Sequence, residues 1–286
     1  SFLNDLKKTT ATALTSEKSF GVDILIVAAL RNPELRAIRD LDWGFAAARS
    51  LDQGTLYYAG SANFGGRSCN IIASACPRMG PVAAAIHTTR MIEAFRPRVL
   101  VMPGICAGMR GNTDYGDVIV ATPAWDWQSG KKVGTKGRPQ SAAFQIQPHQ
   151  IEADSRVIAA FEQLAEDSPA LAGIVAKWRG NKPRNLPRIL PGPVASGASV
   201  VADGETIEDI KRTQHRKLLG LDMESYAVYA AAKDISPPRP IFFSAKAVCD
   251  HADPKKSDDY QDYAAFVSAE VTALVLERAV ASLLGE

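Results

Sequence analysis

The chain has 286 residues, 46% hydrophobic and 22% charged, the composition of an ordinary globular protein long enough to bury a sizeable core without staples. A net charge of +2 leaves no basic surplus of the kind nucleic-acid binding draws on, so no nucleic-acid partner is expected. No apolar run approaches the roughly 18 residues of a membrane span and no signal peptide precedes Asp23, so no membrane association is expected either.

Residues 1–20 are polar and rich in Thr and Ser, and read as a linker or N-terminal extension ahead of a single domain over 21–286. The first residue is Ser1 and not Met, which leaves room for an upstream domain. DILIVAA (23–29) is a nearly unbroken apolar run short enough to be a buried strand. Pro33 then opens ELRAIRDL, where Leu35, Ile38 and Leu41 have helical spacing. TLYYAGSA and SCNIIASAC read as strands, and Val82, Ala85, Ile86, Thr89 and Ile92 mark a helix that Pro97 stops. VLVMPGICAGMRG (99–111) is a strand entering a Gly-rich turn, and DVIVATPAWDW (117–127) is another strand. Residues 128–150 and 177–193 look like surface excursions on either side of a helix in IEADSRVIAAFEQLAE. A charged helix, a helix opening with the acids of DMES, the strand PIFFSAKAV and a long closing helix complete the chain. The alternation predicts an α/β fold of three layers, with a central mixed, mostly parallel sheet flanked by helices. Cys69, Cys76, Cys106 and Cys249 are scattered with no zinc spacing, so they read as reduced thiols of a cytoplasmic protein, and no metal or cofactor is expected.

Three short segments carry chemistry-bearing residues. PGICAG (103–108) follows an apolar strand as a ligand-cradling loop does, yet it lacks the Lys-Ser/Thr of a P-loop and the spacing of a dinucleotide fingerprint. DMES (222–225) sets two carboxylates before an Ala-rich helix; capping accounts for Asp222, and less well for Glu224. AKAVCDHAD (245–253) closes a buried strand in Cys249, Asp250, His251 and Asp253, at the strand end where open α/β sheets bind ligands. Taken singly each has an ordinary structural explanation, a turn or a cap.

In chain order, IVAALRNPEL ending in Glu34, MGPVAAA, VMPGICAG, GDVIVAT, LDMES and AVCDHAD together resemble the nucleoside phosphorylase and nucleosidase superfamily, especially its methylthioadenosine/S-adenosylhomocysteine nucleosidase branch. The resemblance runs from about Asp23 to the C-terminus. It implies cleavage of the bond between ribose C1′ and purine N9 through an oxocarbenium-like transition state. On this resemblance Asp250 matches the acid that protonates or hydrogen-bonds purine N7, and Glu34 the acid that orients or deprotonates the attacking water. Glu224 matches the residue that grips the ribose hydroxyls, its charge favouring the developing cation, with Met223 under the sugar. Val200 and Val201 fall where the family holds the base, and dimers are usual there, so a homodimer is expected.

The sequence departs from the branch at two places. An aromatic usually stands at the position of Val200, so Trp125, Trp127 or Tyr260 is expected to supply the stacking surface. Cys249 stands where Ser usually flanks the acid, and as a weaker hydrogen-bond partner it predicts that something else holds Asp250. His251 and Asp253 are expected to shape the turn. Phosphorolysis in this superfamily uses Arg and Ser around the glycine loop; here Met102 and Ile105 stand there and cannot hold a dianion, so hydrolysis is preferred. The alternatives are a purine nucleoside phosphorylase, and a non-catalytic nucleoside-sensing domain of a larger protein. A substrate phosphorylated on the 5′ carbon would be met by Arg110 or by the basic residues Lys131, Lys132, Lys136, Arg138, Lys177, Arg179, Lys182, Arg184 and Arg188, whose simpler reading is a solvated surface.

Overall fold

The computed structural model describes residues 19–52, 54–133, 143–199, 203–252 and 258–285. The first strand, β1 (Val22–Ala28), pairs in parallel with β4 (Arg67–Ala75) on one side and β5 (Pro97–Gly108) on the other. Outside β4 lie β3 (Leu56–Phe64) and the two-residue β2 (Arg49–Ser50), both antiparallel additions. On the other flank β5 pairs in parallel with β11 (Ile241–Asp250), followed by β6 (Val118–Asp126), β9 (Ile189–Ser196) and β10 (Gly220–Asp222). This nine-stranded order does not end in a free edge at β10. That strand also pairs antiparallel with β5 at Gly220–Gly108 and Leu221–Ala107, so β5, β11, β6, β9 and β10 curl into a closed ring.

Successive side chains of a strand point to opposite faces, and strands buried on both faces read as unbroken apolar runs. The central strands follow this rule. Ile24, Ile26, Val99 and Val101 face one layer of helices, α3 (Ser155–Ala165), α4 (Ser168–Lys177) and α7 (Gln261–Leu284). Leu25, Val27, Leu100 and Met102 face the other, α2 (Pro81–Phe95) and α6 (Ser225–Asp234). Each such Leu, Ile or Val buried contributes about 1.5–3 kcal/mol, and the two clusters are what hold the sheet between its helices.

Three local expectations are corrected. ELRAIRDL does not make one helix: a wide turn over Arg31–Leu35 runs into the four-residue α1 (Arg36–Arg39). Beyond the expected α3 there is a second helix, α4, begun by an Asp167 side chain that accepts from the Ala170 N–H and by Pro169 in its first turn. The DMES acids precede their helix instead of opening it, since Asp222 ends β10 and α6 starts at Ser225. In the basic excursion, β7 (Gly130–Val133) and β8 (Ala143–Ile146) form an antiparallel pair, while Lys136 and Arg138 lie outside the described residues. Between Gly204 and Thr213 the charged helix α5 forms as expected, with the Asp203 carboxylate capping the N–H groups of Glu205 and Thr206.

Candidate active site

The carboxyl ends of β1, β5, β10 and β11 meet around a pocket of about 150 Å³. Glu34 reaches it from the wide turn after β1. The Leu30 N–H donates to one carboxylate oxygen at 2.8 Å and the Ile105 N–H of the glycine loop to the other at 2.9 Å. The loop itself is fixed from behind, because the Gly104 N–H donates to Ser268 Oγ at 2.8 Å and that hydroxyl donates to the Ala245 carbonyl. Burial pushes the Glu34 carboxyl up to about 7, against the Lys246 ammonium and the two backbone donors, which pull it down.

Glu224 sits just ahead of α6. The Gly80 N–H at the head of α2 donates to one of its oxygens at 2.9 Å, and Lys246 Nζ donates to the other at 3.1 Å. The same ammonium lies 2.7 Å from Asp222, so one buried lysine joins two carboxylates. Burial by itself would raise Asp222, but Lys246 and the hydroxyls of Ser196 and Ser225 hold its carboxyl below the ordinary carboxylate value. Burial likewise works against the Lys246 charge, and the three acids Asp222, Glu224 and Glu34 overcome it and keep the ammonium protonated well above its ordinary range. Asp222 is thereby committed to the scaffold: Ser196 Oγ donates to it at 2.5 Å, and the Ser225 N–H and hydroxyl also donate to it.

Asp250 comes from the end of β11. The pairing with β5 slips between Val248 and Asp250, so Cys249 is the extra residue of a bulge and the following side chain is re-aimed. Asp250 Oδ1 accepts from the Ala252 N–H at 2.8 Å, and the Cys249 thiol lies 3.5 Å from Oδ2. The expectation that something other than a serine hydroxyl holds this acid is met by that backbone amide. His251 faces away from chemistry, its Nε2 3.0 Å from the Thr113 carbonyl and its ring edge-on to Tyr115, while Asp253 lies outside the described residues.

Of the residues singled out in the sequence, Glu34, Ile105, Met223, Glu224 and Asp250 all line this pocket. Val200 and Val201 lie outside the described residues. Arg110 is exposed at a turn beyond the glycine loop and is not among the lining residues. Trp125, buried and donating to Gln214, does not line the pocket, nor do Trp127 and Tyr260; Tyr260 stacks on Tyr115. None of the described basic residues of the excursion lines the pocket; Lys177 pairs with Glu270, Arg188 with Asp117, and Lys182 donates to the Val175 carbonyl. Lys246 went unread, although a lysine inside the strand IFFSAKAV is itself a signal that buried acids lie nearby. Met79 and Gln261 also line the pocket without having been singled out.

Residues 23–281 match the family model of the phosphorylase superfamily. The Sinorhizobium fredii protein y4jS is 33% identical over 261 residues, which cover 90% of this chain and 62% of y4jS. A death domain-containing ATP nucleosidase of Amphimedon queenslandica is 25% identical over 90% of this chain and 48% of its own length. The chain therefore spans about half to two thirds of these two longer relatives. Among solved structures, the 5′-methylthioadenosine/S-adenosylhomocysteine nucleosidase of Helicobacter pylori shares the fold at a TM-score of 0.69 and 20% identity, over 91% of this chain and 100% of that one.

Proposed function

The chain belongs to the phosphorylase superfamily, and from that membership we propose that it hydrolyses the N-glycosidic bond of a purine nucleoside or nucleotide and releases the free base. The observation that carries this is the convergence of Glu34, Glu224 and Asp250 on one pocket, with Glu34 poised near neutrality. In this reading a water molecule attacks ribose C1′ as the C1′–N9 bond breaks. The bonding pair leaves with the purine, which takes a proton at N7 from Asp250, and the water gives up a proton to Glu34. Exchange with solvent then returns both carboxyls to their starting states.

A base with a pKa of about 7 suits the task, since it is half ionised at neutral pH and strong enough to take the proton. Each Glu34 oxygen accepts one backbone N–H, which fixes the carboxylate while leaving lone pairs for water. Glu224, held by Gly80 and Lys246, is the group we assign to the ribose hydroxyls, with Met223 beneath the sugar. Ile105 offers the glycine loop no charged group for inorganic phosphate, which supports water as the nucleophile. Incubation with adenosine, methylthioadenosine, inosine, AMP and ATP, followed by chromatography of the free base, tests the reading. Release from at least one of them is expected, and release from none would remove it.

The same reading includes a homodimer in the cytoplasm. Met79, which lines the pocket just ahead of α2, and Val82 and Ile86 on α2 are more than half exposed, which supports a second copy covering them. Four free, buried cysteines support a reducing compartment. No helix among the described residues is long and apolar enough to cross a membrane.

A further inference from the structure

Beside the reaction pocket lies a second cavity, of about 490 Å³, whose charge has no part in the chemistry above. Arg31, Arg78 and Arg90 line it, with one carboxylate, Asp52, and the buried His87. The two cavities share a wall. Leu30 lines the first and Arg31 the second; Met79 lines the first and Arg78 the second. Adjacent Cα atoms are only about 3.8 Å apart, so the cavities adjoin at two separate points of the chain.

The electrostatics of this cavity favour an anion. Three guanidiniums face one carboxylate, and Asp52 is already engaged by Arg90. Among the described residues neither the Arg31 nor the Arg78 guanidinium has an ion-pair or hydrogen-bond partner. Ala83, Ile86, His87 and Arg90 put one side of α2 along the wall of the cavity. His87 Nε2 is buried without a hydrogen-bond partner among the described residues, and in the neutral ring it donates or accepts according to the tautomer. Burial pulls the His87 imidazole down to about 4, so at neutral pH it is uncharged, and Arg31 and Arg78 supply the unpaired positive charge.

We propose that this cavity binds the phosphates on the 5′ carbon of the substrate, so that the preferred substrate is a purine nucleoside 5′-polyphosphate. The proposal rests on the hydrolytic reading of the neighbouring pocket and names its substrate class. With the ribose against Met223 and Glu224, the chain of phosphates passes Met79 and ends among Arg31, Arg78 and Arg90. Arginine suits the role, because its planar fork matches phosphate oxygens two at a time. This site lies at the β1 and β4 ends of the sheet, and the expected Arg110 is not among the residues that line it.

The test compares wild type with the Arg31→Ala/Arg78→Ala double variant on ATP and adenosine, and by calorimetry on a non-cleavable ATP analogue and on inorganic phosphate alone. Losing two charged phosphate contacts is expected to lower kcat/KM for ATP by about 100-fold or more, with adenosine changed by less than about threefold. Analogue affinity should fall in parallel, and raising the salt concentration should weaken ATP and leave adenosine alone. Equal losses on both substrates, or no loss on ATP, would overturn the proposal and leave hydrolysis standing. If neither substrate is cleaved, the hydrolytic reading fails and the calorimetry decides the cavity: analogue binding that ignores the two arginines overturns it. Tight binding of inorganic phosphate alone, with ribose 1-phosphate as the product, would reassign the cavity to a phosphorolytic co-substrate and overturn it too.

Discussion

Asp250 is the residue on which bond cleavage turns in this account, and its surroundings explain why it can be tested cleanly. The Ala252 N–H donates to one oxygen and the Cys249 thiol lies 3.5 Å from the other, contacts that a side chain of the same size can keep. Asp250→Asn keeps the size and cannot transfer a proton. Steady-state kinetics should show kcat down by about 100-fold or more, with the affinity for an unreactive analogue nearly unchanged. Normal turnover would take Asp250 out of the mechanism. Glu34 makes a prediction about pH. Its folded-state value of about 7 lies above the ordinary 4.5, so the folded chain holds this proton more tightly than the unfolded chain. The resulting stabilisation is complete below about pH 4.5 and is lost as the pH rises through about 7, a swing of about 3 kcal/mol at most. Urea unfolding of wild type and Glu34→Gln at pH 5 and pH 8 should therefore show the difference moving in favour of the variant at the higher pH. In the same range kcat/KM of the wild type should fall as the pH drops below about 7, because the base becomes protonated. Lys246 is the residue that the chain hid. Its apolar neighbours read as an ordinary core strand, and the two acids it joins are more than twenty residues away in sequence, so only the folded structure brings the three together. Lys246→Met leaves Asp222 and Glu224 buried without their cation and should cost about 3–5 kcal/mol in a denaturant titration.

At the scale of elements, what the sequence made legible was the set of strands that are apolar on both faces, β1, β5 and β11, and with them the places where the acids emerge. What it did not reveal were pairings of two or three residues. The short β10 has no periodicity to read, yet it closes the ring against β5 and turns Asp222 into a strand residue tied to Lys246. The helix α4 was legible in principle, through Asp167 and Pro169 at its start, but its mixture of Ala, Gly and Leu gives only a weak apolar stripe. The glycine loop shows an element serving the site directly. Gly104 has a positive φ of 153°, and a Cβ there would stand 2.2 Å from a Glu34 oxygen. Gly104→Ala must push the carboxylate off the Ile105 N–H. We expect a loss of activity close to that of Glu34→Gln, with a stability cost of about 1–3 kcal/mol, read by kinetics beside a thermal melt. Full activity in that variant would mean that Glu34 is not held where catalysis needs it.

Taken whole, the molecule places two cavities of different character along the strand ends, one built from carboxylates and one from guanidiniums. The same strand ends also carry the apolar side of α2, so chemistry, anion recognition and the surface assigned to a second copy adjoin one another. Sedimentation of the purified chain should give about twice the mass of 30.7 kDa, and a monomer at micromolar concentration would separate the site from any partner. The family alone does not choose between water and phosphate as the nucleophile. Ile105 in the glycine loop and a Glu34 carboxyl near neutrality point to water, whereas the neighbouring arginines are assigned to the substrate's own phosphates. The most direct measurement is the product formed from adenosine and from ATP in a buffer free of inorganic phosphate, and again with phosphate added. Hydrolysis predicts free adenine together with ribose or ribose 5-triphosphate at the same rate in both buffers. Adenine release that requires phosphate, with a sugar 1-phosphate as co-product, would contradict it.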